Sequence, residues 1–87
     1  MGKYLIEIVV KAEKEFLKLP DPVKTSIQKK ILSLENNPRP FGAKKLRGTE
    51  YYRIRSGDYR VIYSITDRHK QVKILSIAHR KEVYKGL

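Results

Sequence analysis

Cysteine and tryptophan are both missing from the 87 residues, and methionine occurs once. Without cysteine there is no disulfide, no zinc-thiolate site and no thiol nucleophile. Histidine occurs only at His69 and His79, too few imidazoles to build a structural metal site alone. No metal and no cofactor is expected. Long apolar runs are also lacking, since none nears the roughly 20 residues of a membrane span. The start, Met1–Val10, carries Lys3 and Glu7 inside its apolar run and fits neither a signal peptide nor an anchor. No membrane association is expected, and the cytoplasm is the expected location. Negative charge is scarce too. Nine acidic residues stand against twenty basic ones, a net of +11 with a pI near 10.0.

An excess of this kind opposes compaction by self-repulsion and favours a polyanionic partner: nucleic acid, an anionic membrane or an acidic protein. It is also lopsided. Residues 1–43 hold eight basic and five acidic side chains, whereas residues 44–87 hold twelve and four. The anion is therefore expected to meet the second half. The length implies one domain over residues 1–87, with a modest core burying only about 60% of the unfolded surface.

What is present sorts by period. Tyr4-Leu5-Ile6-Glu7-Ile8-Val9-Val10 is β-branched and apolar, a strand. Lys11–Leu19 follows a helical rhythm with Ala12, Phe16 and Leu19 on one side, and Pro20 ends it. Asp21-Pro22 predicts a helix start, with Asp21 as N-cap acceptor and proline at the first helical position. Val23, Ile27, Ile31 and Leu34 then form one apolar stripe, stopped by Asn36-Asn37-Pro38. From Lys44 the period becomes two, with strands expected over Tyr51–Arg55, Tyr59–Ile65 and Val72–His79. Ser56-Gly57-Asp58 and Thr66–Lys70 are the turns between them. Short connections make neighbouring strands antiparallel. The expected fold is α+β: an N-terminal strand, then an antiparallel helical hairpin packed on a mainly antiparallel sheet of about four strands. The tail Lys81–Leu87 is expected to add at most one helical turn.

Alternation also sorts the charges. With Val61, Tyr63 and Ile65 turned to the helices, Arg53, Arg55 and Arg60 fall on the open side. Arginines on adjacent strands repel unless an anion lies between them, and guanidinium grips phosphate bidentately. The bland alternative is a solvated basic face. A second constellation, His79-Arg80-Lys81-Glu82-Val83-Tyr84, follows the last strand and is expected beside that face. A phenol can stack on a base, a guanidinium can stabilise a phosphorane, and a histidine can move protons near neutrality. Equally, His79 could bond a carbonyl at a strand end, Tyr84 could anchor the tail, and Glu82 reads as an ion-pair partner. Lys44-Lys45-Leu46-Arg47-Gly48 is a third basic run, a pattern that is usually solvated surface. The loop Asn37–Ala43 before it has no chemical signature.

These blocks together, Lys45–Gly48, Tyr52–Tyr63 and His79–Tyr84, resemble the RelE/ParE toxin superfamily over nearly the whole chain. The Arg80 and Val83-Tyr84 ending resembles the RelE branch. That resemblance implies a RelE-like fold and the toxin of a type II toxin–antitoxin system. The implied activity is a metal-independent endoribonuclease that cuts mRNA in the ribosomal A site through 2′-hydroxyl attack. Arg53, Arg55 and Arg60 would hold the phosphate, Arg80 would protonate the leaving oxygen, and Tyr84 would orient or stack on a base. Lys44, Lys45 and Arg47 would contact RNA backbone, including 16S rRNA. The implied partner, besides mRNA on the ribosome, is a cognate antitoxin encoded in the same operon, bound as a hetero-oligomer. One position departs from the pattern: the branch carries a lysine, proposed as general base, where this chain has Arg55. Arginine stays protonated, which leaves solvent or His79 as candidate proton acceptor. A ParE-like poison of gyrase and a non-catalytic nucleic-acid-binding relative are the alternatives.

Overall fold

A computed structural model describes residues 3–79. Strand β1 (Leu5–Ile8) leads into helix α1 (Val10–Leu17), and helix α2 (Asp21–Ser33) follows after one turn. A two-residue strand β2 (Lys44–Lys45) precedes β3 (Tyr51–Ser56) and β4 (Tyr59–Thr66). A 3-10 turn (Asp67–His69) then connects to β5 (Gln71–His79). Among the described residues the strands form one five-stranded sheet in the order β1-β5-β4-β3-β2. All pairs are antiparallel except β1 with β5. The α+β expectation holds, with one strand more than expected, because Lys44–Lys45 pairs with Tyr52 and Arg53. Two lysines on such a short outer strand leave little edge for another chain to join.

The helical hairpin covers one face of the sheet. Ala12, Leu19, Ile27, Ile31 and Leu34 pack there against Ile54, Val61, Tyr63, Val72, Ile74 and Ile77. The apolar spacing of four, four and three in α2 puts Val23, Ile27, Ile31 and Leu34 on that contact, as its sequence dictates. The start of α2 differs from expectation. The helix begins at Asp21 itself, Pro20 is the N-cap, and no side-chain cap bond forms. Proline still lies in the first turn, where its missing N–H is no loss.

Two features decide where side chains point. Leu75 is a β-bulge: Ile62 pairs with Ser76, but Tyr63 pairs with Ile74. An extra residue reverses the side-chain alternation beyond it, so Ile74 and Ile77, three apart, both face the core. Next, β1 ends at Ile8, opposite Ile74, and among the described residues the outer edge of β5 beyond that point has no strand partner. Helix α1 covers it with a side chain. The Glu15 carboxylate accepts the Ile77 N–H at 2.9 Å and the Ser76 hydroxyl at 3.2 Å. Lys11 lies 3.8 Å from the same carboxylate.

Candidate nucleic-acid interface

The face away from the helices carries the charge. Arg55 and Arg60 are directly opposed across β3 and β4, with Ala78 next in the row on β5. The neighbouring row runs Lys44, Arg53, Ile62, Ser76. Directly opposed side chains on one face lie about 4.5–5.5 Å apart at Cβ, where like charges destabilise the pair. Arg55 is exposed and Arg60 half-buried, but Arg53 is only 8% exposed and lies beside Ile62, which is fully buried. The arginine face is thus graded: nearly closed at Arg53 and open at Arg55. An anion seated at the open end would meet two guanidinium forks at once.

The sequence-predicted residues are only partly brought together. Arg53, Arg55 and Arg60 share a face with Lys44. Lys45 pairs with Tyr52 and so leaves its strand on the opposite side. Arg47 sits in the following turn, where Lys45, Leu46, Arg47, Gly48, Thr49 and Glu50 line an open hollow of about 340 Å³. His79 is not beside the arginines. Its partner in the register is Tyr59, whose ring it meets edge-on at 5.6 Å. It therefore lies on the side of Val61 and Ile77, because the bulge at Leu75 reversed the alternation. The reading of His79 as a neighbour of the arginine face is corrected accordingly. Arg80, Glu82 and Tyr84, with the expected helical turn, lie outside the described residues.

A polar clasp that the sequence did not reveal lies on the opposite, helix-facing side of the sheet, the side that Tyr52 shares with Tyr63. Arg39, in the loop after α2, grips Asp67 with both terminal guanidinium nitrogens, at 3.2 and 2.9 Å. Its Nε donates to the Tyr52 hydroxyl at 3.2 Å, and its guanidinium lies 5.3 Å from that ring's centroid. The Tyr4 hydroxyl donates to Asp67 at 2.6 Å. Tyr52 stacks on Tyr63 at 5.9 Å, and the buried Tyr63 hydroxyl donates to the Pro38 carbonyl at 2.8 Å. Hydrogen bonds from Arg39 and Tyr4 hold the Asp67 carboxyl down at about 2. Burial, with Tyr52 nearby, pushes the Tyr63 phenol up to about 12. These partners are far apart in sequence and follow no period, so only the strand pairing could have revealed them.

An arginine-bearing sheet backed by a helical hairpin defines a small basic α+β protein. A family model for the ParE toxin of the type II toxin–antitoxin system, parDE, matches residues 6–84, and the chain belongs to that family. It is 35% identical over 86 residues to the mRNA interferase toxin RelE of Escherichia coli, covering 93% of this chain and 90% of that protein. It is 32% identical over 84 residues to Toxin RelE of Mycobacterium tuberculosis, covering 94% and 87% respectively. Among solved structures it resembles the archaeal RelE–RelB complex from Pyrococcus horikoshii. There the TM-score is 0.79 and the identity 36%, over 88% of this chain and 94% of the other.

Proposed function

We propose that the chain is an mRNA interferase, an endoribonuclease toxin that cuts message in the ribosomal A site in the cytoplasm. A cognate antitoxin from the same operon would restrain it as a hetero-oligomer. The observation that carries this reading is the Arg55–Arg60 cross-strand pair, two like charges held together on an open face. The relative named mRNA interferase toxin supports it, as does the archaeal RelE–RelB complex of similar fold. Among the described residues no helix is long and apolar enough to cross a membrane.

In this mechanism the ribose 2′-oxygen attacks the adjacent phosphorus and the bond from phosphorus to the 5′-oxygen breaks. The products are a 2′,3′-cyclic phosphate and a 5′-hydroxyl. Arg55 and Arg60 neutralise the phosphorane, and Arg53 supplies field from the closed end of the face. Arg80 gives a proton to the leaving 5′-oxygen and regains one from solvent, and Tyr84 stacks on a base, roles that the family resemblance implies. Lys44, Lys45 and Arg47 contact RNA backbone. An arginine is a poor proton acceptor and His79 turns to Tyr59, so the 2′-hydroxyl proton leaves to solvent. A second reading keeps the family description, a ParE toxin, and takes gyrase as its target, the alternative that the superfamily resemblance implies. Primer extension on translating ribosomes separates the two. New mRNA ends in the A-site codon are expected with the wild type, and arrest with intact message refutes the nuclease.

A further inference from the structure

Phe41 is fully exposed, more so than any other large apolar side chain among the described residues. Single exposed apolar residues are ordinary on protein surfaces, but the setting of this one is not. Its loop is tied down on both sides. Before it, Pro38 is buried and accepts the Tyr63 hydroxyl, while Arg39 is clamped by Asp67 and Tyr52. After it, the Ala43 N–H closes on the Pro40 carbonyl at 2.9 Å, with Gly42 at a φ of +94° that other residues rarely adopt. A loop anchored this firmly holds the ring in water when tucking it away would stabilise the fold. Phe41 also borders a hollow of about 170 Å³ shared with Lys30, Ser33, Pro40, Ile54 and Arg55. Among the described residues no acidic side chain lines it.

A flat π-face beside two cations matches a nucleotide better than a peptide. The base can stack on the ring while its phosphate meets Arg55 and Lys30. We propose that Phe41 is a stacking platform for an unpaired RNA base, one that extends the arginine face around the β3 edge toward α2. The inference rests on the nuclease reading for its biological setting. The competing occupant is a protein segment that buries the same ring.

The test uses the full chain and a single-stranded 2′-O-methyl oligoribonucleotide carrying 2-aminopurine, which binds but cannot be cut. Stacking should quench the fluorophore on wild type. Phe41→Ala and Phe41→Leu should abolish the quench and weaken binding by about 5- to 100-fold, the scale of one base–aromatic stack. Phe41→Trp should restore both, which separates a stacking role from a merely apolar one. Wild-type quenching retained in Phe41→Ala, or no quenching by the wild type at low salt, overturns the proposal. So does a Phe41→Leu variant that binds like wild type, or a Phe41→Ala defect seen only against antitoxin. Cleavage on ribosomes is scored in parallel. Phe41-dependent quenching without cleavage by the wild type would sink the nuclease and leave the platform standing.

Discussion

Strand β4 presents Val61 and Tyr63 to the helices and Arg60 and Ile62 to the other side, so one backbone serves two chemistries. On the helix side Ile54, Val61, Tyr63, Ile74 and Ile77 pack into one buried apolar cluster. On the far side Arg55 and Arg60 oppose each other, an arrangement that costs stability until an anion arrives. The contrast sets apolar packing on one face against like charge on the other, and it makes each face respond to different substitutions.

The largest effect is expected on the helix side. Ile74→Ala should destabilise by about 2–5 kcal/mol, the usual range for emptying a packed site, as read by urea denaturation. A loss under 1 kcal/mol would mean that the packed face is less close-fitting than described. Next in size is Arg60→Ala, which should lower single-turnover cleavage of ribosome-bound mRNA by about 10²–10³, the penalty for losing a charge-stabilising donor. Its circular dichroism should match wild type. Unchanged cleavage by a folded Arg60→Ala would detach the arginine face from catalysis.

The clasp should set the pH limits of folding. Asp67 is held at about 2 against an ordinary 3.8, so the folded state favours the carboxylate. That stability is present above about pH 4 and is lost as pH falls toward 2. Tyr63 is raised from 10.0 to about 12, so its contribution is complete below pH 10 and is lost as pH rises through 12. Melting temperatures across pH should therefore decline at both ends. Asp67→Asn should flatten the acid limb, and Tyr63→Phe the alkaline one. If the limbs persist in these variants, other groups govern them.

The smallest effect has the most telling sign. Arg55→Ala should leave the free protein equally stable or up to about 1 kcal/mol more stable, because a cross-strand repulsion disappears. The same change should weaken RNA binding and make it less steeply dependent on salt. Destabilisation by Arg55→Ala would mean that the guanidinium already has a stabilising role without ligand.

Much of this contrast was legible in the sequence. The period-two alternation in Tyr51–Arg55 and Tyr59–Ile65 assigned each side chain to its face, because the two strands pair without interruption. Alternation failed in β5, where a straight count from Val72 and Ile74 sends His79 outward. The bulge sends it inward, and the clue was the spacing of three between Ile74 and Ile77. Arg39 and Phe41 stayed hidden for a different reason. Their loop acquires meaning only from Asp67 and Tyr52 on one side and from Arg55 on the other, all brought near by pairing. The two-residue strand at Lys44–Lys45 was too short to leave a period at all.

The parallel pairing of β1 with β5 has a kinetic consequence. Glu7 and Gln71, which share a hydrogen bond across it, are 64 residues apart. The loop-closure entropy of that pairing can be repaid only after both helices and the β2–β4 meander have come between them. The β2–β4 meander can form from local contacts, whereas the parallel edge must wait for β5. A chain emerging from a ribosome would thus hold its basic hairpin for a time with β1 unplaced, and the sheet would close late.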